Sequence, residues 1–138
     1  MTDLKRKRHM KKIRLTIPLI PPSLNRYHKG HWAERSRIHR TWKEYVHSQW
    51  LRLGRPTFDG VEVSLHFHFP DRRHRDHDNY MATGSKLVGD AIKGLFIPDD
   101  DPRHLRRWSF RFSMDRKNPR TVIELKPRRN RILRGKEV

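Results

Sequence analysis

The sequence predicts a small single domain of the α/β (α+β) class, a mixed β-sheet of about four strands packed with two main helices. Three observations lead there. The chain has 138 residues, the size of one domain. Several segments alternate apolar and polar residues with the period of a strand. Two longer segments repeat their apolar residues at helical spacing. The expected order is strand, helix, strand, helix, strand, strand, in a sheet that is mostly antiparallel or mixed.

Ile13, Leu15, Ile17 and Leu19 alternate with Lys12, Arg14, Thr16 and Pro18, as a half-buried strand does. Pro21-Pro22-Ser23 then ends the strand. Between Trp32 and Leu53, the residues Ile38, Trp42, Tyr45, Val46, Trp50 and Leu53 form one helical face. Arg35, Arg37, Arg40 and Lys43 occupy the opposite face, and Gly54 with Pro56 beyond it is the stop. The second strand sets Val61, Val63, Leu65, Phe67 and Phe69 on one side and Glu62, Ser64, His66 and His68 on the other. A second helix is expected from about Asn79 to Gly94, burying Tyr80, Leu87, Val88, Ala91 and Leu95. Trp108, Phe110, Phe112 and Met114 mark a third strand, and a turn from Asp115 to Pro119 leads to a fourth around Thr121 to Leu125. Trp32, Trp42, Trp50 and Trp108 are expected as core or dimer anchors rather than base-stacking platforms.

Residues 1–11 read as a basic arm, 12–126 as the domain and 127–138 as a basic tail. Lys and Arg total 33 against 15 acids, a net charge of +18, so the expected partner is a polyanion, above all nucleic acid. The absence of cysteine excludes disulfides, thiolate zinc and cysteine nucleophiles, and suits a reducing compartment. No stretch approaches the roughly 20 apolar residues of a membrane span. The basic start lacks the apolar region and small-residue cleavage site of a signal peptide. The expectation is a cytoplasmic protein of a bacterial cell or a phage-infected host, with no membrane partner and no small-molecule cofactor. With 33% hydrophobic residues the core is modest, and a homodimer is expected to add stability.

In so basic a chain the acids are informative. Asp76, Asp78, Asp90, Asp99, Asp100 and Asp101 lie within 26 positions, and like charges cluster at a cost unless a cation sits among them. Mg²⁺ suits such carboxylates, because it takes oxygen ligands and keeps waters for substrate phosphate. Asp76-His77-Asp78 follows the second strand, and Asp99-Asp100-Asp101 precedes the third. If the intervening helix doubles back along the sheet, the two clusters meet at one end of it. Each also has an ordinary alternative: Asp78 can cap the helix, and the Asp run can be a solvated turn. Lys86 and Asp90 stand four apart, either as a surface ion pair or with Lys86 beside a scissile phosphate. Arg72, Arg73 and Arg75 can clamp a phosphate through paired hydrogen bonds. A zinc site built on His66, His68, His74 and His77 is less favoured, since the acids supply oxygen and no third ligand is evident.

The stretch Pro70-Asp71-Arg72-Arg73-His74-Arg75-Asp76-His77-Asp78-Asn79 resembles the signature of the RusA family of Holliday-junction resolvases. Lys86, Asp90 and Phe96-Ile97-Pro98-Asp99-Asp100 resemble the family's helical Lys, its following Asp and its hydrophobic-Asp-Asp segment. Ile17 to Arg26, with Pro21-Pro22-Ser23-Leu24-Asn25-Arg26, is similar to its opening strand and turn. The resemblance spans about residues 12–126. Thr83-Gly84-Ser85, in a segment longer than in the shortest family members, is a run able to break or delay the helix start.

The resemblance implies a homodimeric, RusA-like endonuclease that nicks opposed strands of a four-way DNA junction in recombination and repair. Asp76, Asp78 and Asp100 would be catalytic and metal-binding, with Asp101 the alternative third acid, and Lys86 would be catalytic. The cofactor would be Mg²⁺, with Mn²⁺ as a substitute. Arg26, Lys29, Arg72, Arg73 and Arg75 would contact DNA. Two competing readings are a related nuclease for other branched phage DNA and a non-catalytic basic DNA- or RNA-binding protein. The latter explains the charge but not the Asp clusters.

Overall fold

A computed structural model describes residues 11–128. The basic segments at either end of the sequence lie outside this range, except for residue 11 and residues 127–128. The elements run β1 (Ile13–Ile17), α1 (Leu24–Lys29), α2 (Trp32–Arg52), β2 (Gly60–Phe69), α3 (His77–Ile92), β3 (Leu105–Met114) and β4 (Arg120–Arg128). The described residues form a small mixed α/β domain of four strands and three helices.

The additional helix, α1, starts where the strand was expected simply to stop. Ser23 is its N-cap, its Oγ accepting from the Arg26 amide at 3.3 Å. Six residues are too few to display a helical period, so pattern reading passes over it. In α2 the sheet-facing residues are Trp42 and Val46, one turn apart and buried. Tyr45 and Leu53, expected on the same face, are 38% and 49% exposed. Tyr45 is rotated off the Trp42–Val46 line, and Leu53 is the C-cap beyond the last turn. Of the four tryptophans Trp42 enters the core, Trp50 and Trp108 pack partly buried against it, and Trp32 is 67% exposed. Gly54, at φ +87°, turns the chain out of α2 in the left-handed conformation that glycine adopts without a Cβ penalty.

The sheet order is β1-β4-β2-β3. β4 pairs antiparallel with both β1 and β2, while β2 and β3 are parallel and joined through α3. The alternation in β2 behaves as its pattern requires. Val61, Val63, Leu65, Phe67 and Phe69 are buried with Leu15, Ile17, Ile123 and Leu125 beneath α2 and α3, and the intervening residues face away. Each large apolar side chain buried there contributes roughly 1.5–3 kcal/mol. β4 extends to Arg128, past the domain limit of 126 read from the sequence.

α3 begins at His77 rather than Asn79, and Thr83-Gly84-Ser85 runs through it without a break. Tertiary packing overrides the weak propensity of that run. A Cβ on Gly84 would lie 2.7 Å from the Phe67 ring, so glycine is what lets α3 seat closely on β2. The Thr83 hydroxyl donates to the Pro22 carbonyl at 2.7 Å, and the Thr121 hydroxyl donates to that of Leu19 at 2.7 Å. Both threonines are buried, and together they pin the proline-rich turn between β1 and α1.

Candidate functional site

The path of α3 sets the positions of the acids. A single helix joining parallel strands crosses the sheet once, from the carboxyl end of β2 to the amino end of β3. Asp76 and Asp78 therefore stand at its start and Asp99, Asp100 and Asp101 follow its end in the chain, with Asp100 reaching back to line a cleft beside Ser85 and Lys86 near the helix middle. The expectation that both clusters meet at one end of the sheet is overturned. One helix between two parallel strands leaves its two flanks at opposite ends of the sheet.

At the start, Asp76 is the N-cap, its Oδ1 accepting from the Asp78 amide at 3.1 Å. The capping role considered for Asp78 belongs to Asp76. Asp78 sits in the first turn, where a carboxylate is favoured by the helix dipole. Just before them Arg75 is fixed in place. Its Nη1 lies 2.9 Å from Asp71 Oδ1, its guanidinium is 4.5 Å from the Phe69 ring centroid, and its side chain is only 9% exposed. Hydrogen bonds from the Arg75 side chain and the Arg73 amide hold the Asp71 carboxyl below its ordinary value.

Farther along α3, Lys86 and Asp90 line a cleft of about 440 Å³ with Asp100, His39 and the edge residues Leu105 and Trp108. Residues from α2, α3 and the loop before β3 thus converge. Asp90 does not serve as the i+4 ion-pair partner of Lys86. Its Oδ2 lies 3.0 Å from His39 Nδ1 and 3.4 Å from Lys43 Nζ, both from α2. Burial acts to raise the Asp90 carboxyl, but the His39 hydrogen bond and the Lys43 charge outweigh it and hold it below its ordinary value. The chain of contacts continues from His39 Nε2 to the Tyr27 hydroxyl at 2.8 Å. Lys86 Nζ sits 5.4 Å from the centroid of that same Tyr27 ring. An Asp–His–Tyr series of this kind fixes the ring orientation of His39 and holds Tyr27 rigid beneath the Lys86 ammonium.

The Asp run is not uniform. Asp99 Oδ1 accepts from the Asp100 amide at 2.8 Å, and Asp101 Oδ1 accepts from the Arg103 and His104 amides at 3.0 and 3.2 Å. Asp99 and Asp101 thus use an oxygen to shape the turn, while Asp100 lines the cleft. Among the described residues, no three His, Asp or Glu side chains gather into a set able to hold a metal ion. Asp76, Asp78 and Asp100 are therefore not one ligand set within a single chain. His66 and His68 lie side by side on the open sheet face, ring centroids 3.9 Å apart, with His66 Nε2 2.6 Å from Ser113 Oγ. Burial is the first cause lowering both imidazoles, and neighbouring positive groups, His68 and Arg111 for His66 and Arg120 for His68, add to it.

The arginines form the rest of the site. A groove of about 610 Å³ opens beyond the carboxyl ends of β1 and β2. The proline-rich turn forms one wall, and Phe69, Pro70 and Tyr80 form the other. Arg26, Arg35, Arg73 and Arg75 all line it. An adjoining depression takes in Trp32, Arg40 and Lys43 and shares Tyr27 and Arg35 with this groove. It also shares His39 with the Lys86 cleft, so basic surface continues from the groove to the cleft. Of the expected DNA contacts, Arg26, Arg73 and Arg75 come together, while Lys29 and Arg72 are exposed outside these hollows. Tyr27, Arg35 and His39 were missed as site residues. Tyr27 carries a weak signal, one residue past the Pro-Pro-Ser-Leu-Asn-Arg motif. His39 carries none, because its partner Asp90 is 51 positions away.

Against known proteins, no family model matches the chain and no curated protein matches it. Among the described residues, no helix is long and apolar enough to cross a membrane.

Proposed function

We propose that this protein is a Mg²⁺-dependent, structure-specific endodeoxyribonuclease of RusA type that acts as a homodimer on four-way DNA junctions. One observation carries the reading. Lys86 and Asp100, drawn from separate motifs, line one cleft, and a continuous basic surface leads into it. A phosphodiester strand laid along that surface has its charge met by arginines and lysines, and the cleft then offers it an ammonium and a carboxylate. Lys86, steadied over Tyr27, would offset charge building on the scissile phosphate.

The three proposed metal ligands do not meet within one chain. The reading therefore requires the dimer for the chemistry as well as for stability. A two-fold copy that brought Asp76 and Asp78 of one chain to the other chain's cleft would do so twice over, matching a junction cut symmetrically on two strands. When bound, Mg²⁺ would supply a polarised phosphate and a more acidic attacking water.

The test is cleavage of an end-labelled four-way junction beside a linear duplex of the same sequence, with Mg²⁺ or with EDTA. Paired symmetric nicks in the junction alone, and only with metal, are expected. Tight binding with no nick under either Mg²⁺ or Mn²⁺ would instead favour a basic protein that holds nucleic acid without cutting it.

A further inference from the structure

The groove beyond β1 and β2 is not needed to explain the cleft, and its chemistry is distinct. Its walls are apolar and rigid. The rings of Pro18, Pro21, Pro22 and Pro70 line it together with Tyr80, so much of the wall has no backbone N–H to offer a ligand. The turn that carries the first three prolines is pinned by the buried Thr83 and Thr121 hydroxyls, which makes the hollow a preformed one. Its volume of about 610 Å³ falls within the range of about 300–1,000 Å³ that accommodates ligands of nucleotide size.

The four arginines divide into two kinds. Arg75 is engaged by Asp71 and Phe69, and Arg35 donates to the Gly30 carbonyl. These two build the wall. Arg26 and Arg73 line the same groove, are exposed, and make no ion pair with any described carboxylate. A guanidinium in that state is a ready bidentate partner for phosphate. Glu34 adds one carboxylate to the lining, an acceptor for the amino or imino hydrogens of a base. An apolar slot, one acceptor and two uncommitted guanidiniums together match a base with phosphates on either side of it.

The geometry points to this groove as a pocket for an unstacked nucleotide of a DNA strand, its base between the proline-rich turn and Tyr80 and its phosphates on Arg26 and Arg73. The pocket accounts for two sequence features at once, the Pro-Pro-Ser-Leu-Asn-Arg turn and two of the arginines before Asp76, Arg73 and Arg75. It shares Tyr27 and Arg35 with the surface that leads to the Lys86 cleft, so a strand anchored here is already directed towards the acids. Single-stranded regions at a branch point supply such nucleotides more readily than a stacked duplex. The inference rests on the nucleic-acid part of the reading above but not on cutting.

The test is equilibrium binding of the full chain, in EDTA, to a short fluorescent deoxyoligonucleotide and to an abasic oligomer of equal charge, with a linear duplex in parallel. The base-bearing oligomer is expected to bind about tenfold more tightly than the abasic one, as a seated base would require. Leu19→Trp, a change at the exposed rim that narrows the slot, should erase this preference and leave abasic binding intact. Arg26→Gln with Arg73→Gln should weaken both oligomers. Equal affinity for the two oligomers, or a preference that survives Leu19→Trp, would overturn the pocket even if duplex and junction binding stand. Failure of every nucleic acid to bind would overturn the nucleic-acid reading together with it.

Discussion

The two ends of α3 use the same residue type in opposite ways. At the start, Asp76 is satisfied by the backbone amide of Asp78, two positions on. Towards the end, Asp90 is satisfied by His39 and Lys43, side chains of another helix. The first carboxylate is held by local geometry that any helix start provides. The second is held by packing, and its partner His39 stands 51 positions back in the chain. A cap tolerates a neutral acceptor, whereas an ion-paired carboxylate in a cleft does not. A carboxylate engaged by one amide also keeps its charge and a spare oxygen for another cation.

That contrast can be sharpened by experiment. The largest effects concern cutting. Asp78→Asn and Asp100→Asn should each abolish junction cleavage and leave junction binding intact or tighter, since each removes a charge that repels phosphate. Mixing the two inactive variants should restore nicking if the two ends of α3 serve one site shared between chains, because one of the two sites in a mixed dimer keeps all its acids. A mixture that stays dead would show that each chain needs both of its own ends intact.

Stability separates the ends next. Asp76→Ala should cost about 1 kcal/mol in urea unfolding, while Asp76→Asn should cost much less, because asparagine caps nearly as well. Equal losses for the two substitutions would mean that charge, and not capping, is what Asp76 contributes to the fold.

The smallest effect concerns the other face of the sheet. His66 and His68 have their imidazoles lowered from the ordinary value of 6.5, first by burial. The unfolded chain therefore takes up protons at a higher pH than the folded one does. The stability linked to this pair is present above about pH 6.5 and is lost as pH falls through the lower folded values. Urea midpoints at pH 7.5 and 5.5 should show a smaller drop for His66→Gln with His68→Gln than for the native chain. An unchanged drop would place the pH dependence in other groups.

Much of the fold was legible because its signals are local. The alternation in Val61 to Phe69 and the spacing of Trp42 and Val46 report directly on which face is buried. The short α1 helix was not legible, since six residues hold too little period and its start doubles as a proline stop. The site was legible in part for the same reason. Arg26, Arg73 and Arg75 lie in short motifs and do come together, and Lys86 and Asp100 do share a cleft. The contacts around them were hidden, because Tyr27, His39 and Asp90 become neighbours only once α1, α2 and α3 pack.

By itself the sequence determined the identity of the strands, the main helices, the buried face of the sheet and the charge of the surface. Each of these follows from residue period and composition over a few turns of chain. Only the tertiary structure decided that β2 and β3 are parallel, and with that which acids share a cleft. Strand direction depends on how a connection folds back over the sheet, a long-range choice that no local period encodes. That one choice sends Asp76 and Asp78 to the start of α3 and brings Asp100, from the loop after it, beside Lys86.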